Sequence, residues 1–269
     1  QDANKKRTAI KSDSSLSMLD KSIMYAEANA LYEKRLQARD LAIKARDEQK
    51  VKFEASLNDM KKNLKKYLPE ILTFIVPILI MLISCIVNKT YPFGKEILPK
   101  YDGYYQYAGF TSYYKNVLLG NESLFYSFKG LLGYNFYATS IYYMFNPTNL
   151  LCIFSTSKNI LEYYTFIILL RIGLSGFTMC KYLKYKFKNQ SNLRYIIFSI
   201  SYALMAYNVC YFFNYMYFDT VVLFPIVVLG LDKLIYERKN RLYIISLTLS
   251  IISNFYIGYM VCIFSLLYF

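Results

Sequence analysis

The sequence predicts an all-α, polytopic helical membrane protein with a polar helical extension at its amino end. Of its 269 residues, 55% are hydrophobic and 19% aromatic, more apolar weight than a soluble domain of this size usually carries. The charge is also uneven. Residues 1–66 hold 16 of the 32 Lys and Arg and 10 of the 18 Asp and Glu, so long uncharged runs fill the remainder, as membrane-spanning helices require.

The amino-terminal segment 1–59 is polar and favours helix, because it is rich in Ala, Glu, Lys, Leu and Arg. Its apolar residues do not hold a heptad register, so we favour a solvated single helix over a coiled coil. Met60 begins a basic stretch followed directly by an apolar one, as the start of a membrane protein often looks, whereas the sequence itself begins at Gln1. We therefore expect 1–59 to be a cytoplasmic extension of a membrane domain at 60–269.

The first predicted span is 71–88, an uncharged run that would reach about 27 Å as a helix. A cleaved signal peptide is the alternative; we favour a retained helix because a long polar segment precedes the run and no small-residue cleavage pattern follows it. Further spans are predicted at 160–183, 195–213, 214–235 and 243–269. The last run is still uncharged at Phe269, so we expect more spans beyond it.

Basic residues between the apolar runs predict the orientation, because cytoplasmic loops concentrate Lys and Arg. Three clusters of basic residues all fall on the cytoplasmic side if the amino terminus is cytoplasmic and 89–157 is an external loop. Within that loop, the aromatic stretch 136–154 is predicted to be interfacial or re-entrant rather than a span, because another span would move one cluster outside. The clusters are Lys61, Lys62, Lys65 and Lys66; Lys181, Lys184, Lys186, Lys188 and Arg194; and Lys233, Arg238, Lys239 and Arg241.

Several chemistries are excluded or disfavoured by composition. There is no histidine, so a proton transfer near neutral pH falls to a carboxylate, a tyrosine or a lysine. The five cysteines stand singly in apolar stretches, without the spacing of a disulfide framework or a zinc site. The acids are isolated, so we expect no metal or other cofactor, although a divalent ion is not excluded. Basic residues that cluster between spans argue against a nucleic-acid partner.

Asp102 is the leading catalytic candidate, because tyrosines surround it shortly after the first span and can orient a carboxylate and stack on sugar rings. Since Gly103 follows it, a turn residue is the simpler alternative. Arg171 lies mid-span, where a charge is costly and needs a partner. That partner is either a carboxylate, Asp219 or Glu162, or the phosphate of a lipid carrier. Asp219 has two further alternatives, a helix N-cap or a solvated acid.

A set of motifs in fixed order resembles the bacterial YfhO-type membrane proteins over 61–269. Each motif is weak alone, but their order and spacing make the set fairly specific. The motifs are YPFG (91–94), the Asp102 segment through Gln106, SFKGLLGYN (127–135), YYMFNPTNLL (142–151), LLRIGLSGFTM (169–179), SYALMAYN (201–208), NYMYFDTVVLFPIVVLGLDKL (214–234) and NFYIGYM (254–260).

The resemblance implies a GT-C-like glycosyltransferase in the bacterial cell membrane. Such an enzyme takes a sugar from a polyprenyl-phosphate carrier and passes it to an extracytoplasmic cell-envelope polymer such as a teichoic acid, with membrane lipids as its surroundings. An acidic residue just past the first span acts as the base, and Asp102 occupies that position. The substrate-binding residues that we predict with it are Tyr105, Gln106, Asn146, Arg171 and Asp219.

Two other functions stay open at this stage. In a transporter or lipid flippase, Arg171 and the prolines Pro77 and Pro225 would serve gating or binding rather than catalysis. A non-enzymatic scaffold is the third possibility.

Overall fold

A computed structural model describes residues 5, 8, 10, 12, 17–130, 132–156 and 158–269. This part of the chain is helical and contains no β-strand, which confirms the all-α class. The remaining positions of the predicted extension, together with residues 131 and 157 of the predicted loop, lie outside the described residues.

The chain divides into two compact units, 1–66 and 67–269. Helix α1, Met18–Val87, supplies most of the first unit and continues into the second. Within the first unit the apolar side chains of α1, such as Leu41 and Phe53, are largely exposed. Those exposed side chains are what a solvated helix requires.

The second unit consists of helices, with longer connections at 88–102 and 119–135. In chain order they are a π-helix Gly103–Tyr107, α2 Ala108–Leu118, α3 Phe136–Tyr143, a 3₁₀-helix Pro147–Phe154, α4 Ile160–Lys186, α5 Asn192–Ala203, α6 Ala206–Cys210, α7 Tyr215–Glu237, α8 Arg241–Ser253 and α9 Phe255–Tyr268. Helices α1 and α4 are long and apolar enough to cross a membrane, whereas α8 and α9 are shorter apolar helices.

Helix α4 packs closely against the second half of α1. A Cβ on Gly176 would lie 2.1 Å from the carbonyl oxygen of Thr73, and one on Gly173 would meet Ile78 and the carbonyl oxygen of Phe74. Small residues at such a crossing let two apolar helices approach to backbone contact, which is how helices associate in a membrane. The LLRIGLSGFTM segment therefore carries its glycines on the face that meets α1.

Ion pairs join α1, α4 and α7 at one end, which we call the basic end. Glu70 of α1 pairs with Lys184 at 2.6 Å and with Lys181 at 3.4 Å. Lys186, at the end of α4, pairs with Asp232 of α7 at 3.0 Å. The carboxyl ends of α4 and α7 therefore lie together, as the prediction of one common side for their basic clusters requires.

Two of the predicted spans are interrupted. The segment 195–213 contains α5, a break after Ala203, and the single turn α6. The segment 243–269 is two helices, because Asn254 is extended between them. Its side chain accepts a hydrogen bond from the Ile257 amide and donates one to the carbonyl oxygen of Met216. The predicted span 243–269 therefore consists of two helices in the structure, because this buried amide caps α9, and Gly258 lies close to Ile251.

The aromatic stretch 136–154 forms two short helices that join at Asn146. The side-chain oxygen of Asn146 accepts a hydrogen bond from the Asn149 amide at 2.7 Å and begins the 3₁₀-helix, with Pro147 as its first residue. Phe136, Tyr143 and Cys152 from this stretch are buried in the same hydrophobic cluster as Tyr107 and Tyr164. This segment is therefore packed into the core of the second unit.

Candidate functional site

Asp102 stands at the first position before the π-helix and is exposed to solvent. Its backbone is helical, and its carboxylate makes no capping hydrogen bond. The Gly103 amide donates a hydrogen bond to the carbonyl oxygen of Lys100 at 3.0 Å, so Asp102 lies in a backbone turn and the turn alternative stands beside the catalytic one. Short π-helical segments occur often at functional sites, because they displace side chains from the regular α-helical positions.

Two buried tyrosines, Tyr107 and Tyr143, are influenced by the charge of Asp102. The rings of Tyr107 and Tyr143 are 5.1 Å apart between centroids, and both residues are almost completely buried. Their hydroxyl groups have no hydrogen-bond partner among the described residues. Burial raises the pKa of both phenols well above the usual value. For Tyr107 the charge of Asp102 is the next largest cause. Both hydroxyls are therefore protonated donors at neutral pH.

Gln106 and Tyr105 complete the edge of this region, and both are exposed. The Gln106 amide lies next to the Tyr143 hydroxyl without hydrogen-bonding geometry. We call Asp102, Gln106, Tyr107 and Tyr143 the tyrosine site. It combines an exposed carboxylate and an exposed amide with two buried phenols.

Helix α4 positions the first half of the tyrosine site through Tyr164. The Tyr164 hydroxyl donates a hydrogen bond to the carbonyl oxygen of Tyr107 at 2.8 Å and also contacts the hydroxyl of Thr111. Tyr164 is fully buried and packs edge-on against Tyr215. The π-helix is thus fixed to α4 at the residue that carries one of the two unpartnered phenols.

Arg171 is the centre of a buried group that we call the arginine network, with Asn146, Thr148, Tyr215 and Asp219. Its guanidinium lies 2.6 Å from an Asp219 oxygen and donates to the Thr148 hydroxyl at 2.7 Å. It also donates to the carbonyl oxygen of Tyr215 at 2.9 Å and lies 4.0 Å from the centre of that ring. The planar, five-donor guanidinium suits such a set of partners.

The arginine network holds the second half of the tyrosine site. Asn146 accepts a hydrogen bond from Arg171 and donates one to the carbonyl oxygen of Tyr143 at 3.1 Å. Thr148, two residues later, lies 3.0 Å from the other oxygen of Asp219 and donates to it. The connection between α3 and the 3₁₀-helix is therefore anchored to α4 and α7, three residues from the Tyr143 side chain.

The structure separates the residues that the sequence grouped as one binding site. Asp102, Tyr105 and Gln106 are exposed, whereas Asn146, Arg171 and Asp219 are buried. Arg171 has no exposed surface and its partner is Asp219, not Glu162, so a carrier phosphate has no access to it in this structure. Asp219 lies inside α7 as a buried ion-pair partner, so neither the N-cap nor the solvated-acid interpretation describes it.

Sequence reasoning missed the positioning residues. The pairs Tyr142-Tyr143 and Tyr163-Tyr164 look like interfacial tyrosines, but Tyr143, Tyr163 and Tyr164 are buried. Thr148 was not predicted to be functional. It follows Asn146-Pro147, the start of the 3₁₀-helix, and its hydroxyl accepts hydrogen bonds from Arg171. Of the described residues, no group of three or more Cys, Asp or Glu comes together in a way that could hold a metal ion.

The fold and these contacts define an all-α membrane protein. Its helix α4 positions both the π-helix and the connection between α3 and the 3₁₀-helix. A family model described as bacterial membrane protein YfhO matches residues 73–269, so the chain belongs to the YfhO family, as its motifs predicted. No curated protein and no solved structure matches the chain.

Proposed function

We propose that the chain is a GT-C-like membrane glycosyltransferase that moves a sugar from a polyprenyl-phosphate carrier to an extracytoplasmic cell-envelope acceptor such as a teichoic acid. The observation that carries the proposal is the tyrosine site, where the exposed side chains of Asp102 and Gln106 stand at a short π-helical segment. Membership of the family supports a location in the bacterial membrane. The basic end supports a multi-pass arrangement with a cytoplasmic amino terminus.

The proposed reaction is a displacement at the anomeric carbon of the donor sugar. The acceptor hydroxyl oxygen forms a bond to this carbon while the bond from the carbon to the carrier phosphate breaks, and polyprenyl phosphate leaves with the electron pair. Asp102 takes the acceptor proton as general base. Gln106, whose side chain is exposed, donates a hydrogen bond to a sugar oxygen, which holds the reacting groups in line.

Charge on the departing phosphate needs cationic help, and Lys100 is better placed than Arg171. Lys100 is exposed and lies two residues before Asp102, whereas Arg171 is fully buried in the arginine network. Preorganised cations aimed at a developing negative charge are a major source of catalytic stabilisation. We therefore assign Lys100 to the phosphate, and Asn146, Arg171 and Asp219 to positioning the tyrosine site.

A transfer assay with Asp102→Asn tests the proposal. Membranes that contain the full protein are given labelled polyprenyl-phosphate monosaccharides and a teichoic-acid acceptor. The amide keeps the shape of the carboxylate but cannot take a proton, so transfer should fall by about 100- to 10,000-fold. Glu96→Gln is the matched control, because Glu96 is an exposed acid of the same loop and should retain full transfer. Normal transfer by Asp102→Asn would exclude Asp102 as the base.

A transporter or lipid flippase is the second candidate, and the interrupted helices favour it. The breaks after Ala203 and at Asn254 resemble the discontinuous helices of transporters. Proteoliposomes with a fluorescent polyprenyl phosphate distinguish the two. Movement of the lipid between leaflets without any sugar transfer would support the flippase and contradict the transferase.

A further inference from the structure

A cavity of 610 Å³ is lined by residues between Tyr105 and Thr139. Its volume lies within the usual range of ligand sites. One wall is a single helical face. Gly109, Tyr113 and Asn116 follow one another at spacings of four and three residues, and Ser112 lies on the same face. Tyr105 and Gln106 extend this wall from the π-helix, so the cavity begins where the tyrosine site ends.

A second part of the lining comes from Lys129, Gly130, Gly133 and Tyr134. Ser127 and Tyr134 pair through their backbones. A Cβ on Gly130 would lie 2.6 Å from the Tyr134 ring. Gly133 has φ +102°, and a Cβ there would lie 2.2 Å from the Tyr126 hydroxyl. Glycine at these two positions lets the backbone approach both tyrosines, of which Tyr134 lines the cavity.

The lining combines aromatic faces with uncharged polar groups. Tyr105, Tyr113 and Tyr134 supply the rings, and the amides and hydroxyls come from Gln106, Ser112, Asn116 and Thr139. Lys129 also lines the cavity, but Glu122 pairs with it and its ammonium lies 5.9 Å from the centre of the Tyr113 ring. Its charge is thereby balanced.

We propose that this cavity binds a neutral glycosyl unit of the acceptor. Aromatic faces pack against the apolar faces of a sugar ring, while amides and hydroxyls bond its hydroxyl groups. The balanced charge of Lys129 disfavours a phosphate as the ligand. Gln106 belongs to both the tyrosine site and the cavity lining, which places the cavity near the proposed base Asp102. The assignment to the acceptor rests on the proposed function. The binding of a glycosyl unit does not rest on it.

Gly109 offers a way to fill the cavity without disturbing its walls. A Cβ at this position has no heavy atom within 4 Å, and its helical spacing to Tyr113 aims it into the cavity. Gly109→Leu should therefore occupy the space that a sugar ring needs. Gly109→Ala is the matched control, because it adds one methyl group at a helix position that favours alanine. Thr139→Met fills the cavity from the other side and serves if Gly109→Leu does not fold.

The experiment is photolabelling of the full protein in membranes with a diazirine derivative of a neutral hexose. We expect the label on the peptide that contains residues 105–116, with competition by the unmodified hexose and none by inorganic phosphate. Gly109→Leu or Thr139→Met should lower labelling by about tenfold or more, while Gly109→Ala changes it little. Undiminished labelling in the filled variants, or displacement by phosphate alone, would overturn the inference.

Asp102→Asn separates this inference from the proposed function. This variant should lose transfer but keep the hexose label, since Asp102 does not line the cavity. If Asp102→Asn retained normal transfer, the proposed reaction would fail, yet the Gly109 variants would still decide whether the cavity binds a sugar.

Discussion

The tyrosine site and the arginine network lie next to each other and meet at Tyr143, yet they differ in exposure. In the arginine network, Arg171 is fully buried and bonded to partners from two segments, the connection around Asn146 and helix α7. In the tyrosine site, Asp102 and Gln106 are exposed to solvent. A buried network of charge-assisted hydrogen bonds stabilises and positions, whereas an exposed carboxylate and amide are open to a substrate.

The largest effect on stability should come from breaking the arginine network. Arg171→Ala leaves the Asp219 carboxylate buried without its cation, which should cost about 3 to 5 kcal/mol of unfolding free energy. Unfolding by SDS titration in mixed micelles measures this cost.

The double variant Arg171→Met with Asp219→Leu is the control for that measurement. It removes both charges, so it should be more stable than the Arg171→Ala protein. A loss below about 1 kcal/mol for Arg171→Ala would show that the pair behaves like an exposed one and that the comparison is wrong.

Removal of the Gln106 amide should affect transfer but not stability. Gln106→Ala truncates an exposed side chain, so it should leave the unfolding free energy within about 0.5 kcal/mol. Transfer should fall by up to about tenfold, the value of one ordinary hydrogen bond to the substrate. Tyr164→Phe is the contrasting variant, because its hydroxyl bonds the Tyr107 carbonyl oxygen and its loss should lower stability. Loss of stability in Gln106→Ala would contradict the open character of the site.

The smallest effect on transfer should come from the basic end. Glu70 is nearly buried and pairs with Lys181 and Lys184, whose side chains are partly exposed. Glu70→Gln should therefore cost about 1 kcal/mol of unfolding free energy. Transfer per folded molecule should be unchanged, because the pair lies away from the tyrosine site. A large drop in transfer at normal stability would connect this end to the reaction.

The class of fold was predictable from the sequence because charge and apolarity are properties of composition. The uncharged runs before Asn88 and around Arg171 required helices, and the cost of a buried guanidinium required a partner for Arg171. The choice between Asp219 and Glu162 depended on how α4 and α7 lie side by side. That arrangement comes from packing between distant segments, which no local pattern encodes.

The tyrosine site was predictable only in part. Asp102 and Gln106 were found from their position after the first span, but Tyr107 and Tyr143 were not, because a buried and an interfacial tyrosine share the same local sequence signal. The helix break at Asn254 was not predicted for a similar reason. A single asparagine in an apolar run is a weak local signal, and the hydrogen bond to Met216 that stabilises the break exists only after α7 and α8 pack.

The most direct test of the account compares Asp102→Asn with Asp219→Asn in one preparation, with sugar transfer expressed per folded molecule. The account predicts that Asp102→Asn unfolds like the unmodified protein and loses about 100-fold or more of its transfer. Asp219→Asn should unfold more easily, because it weakens a buried ion pair, and its folded fraction should keep more transfer than Asp102→Asn. Greater loss of transfer in the Asp219 variant, with Asp102→Asn still active, would contradict the assignment of chemistry to the tyrosine site and of positioning to the arginine network.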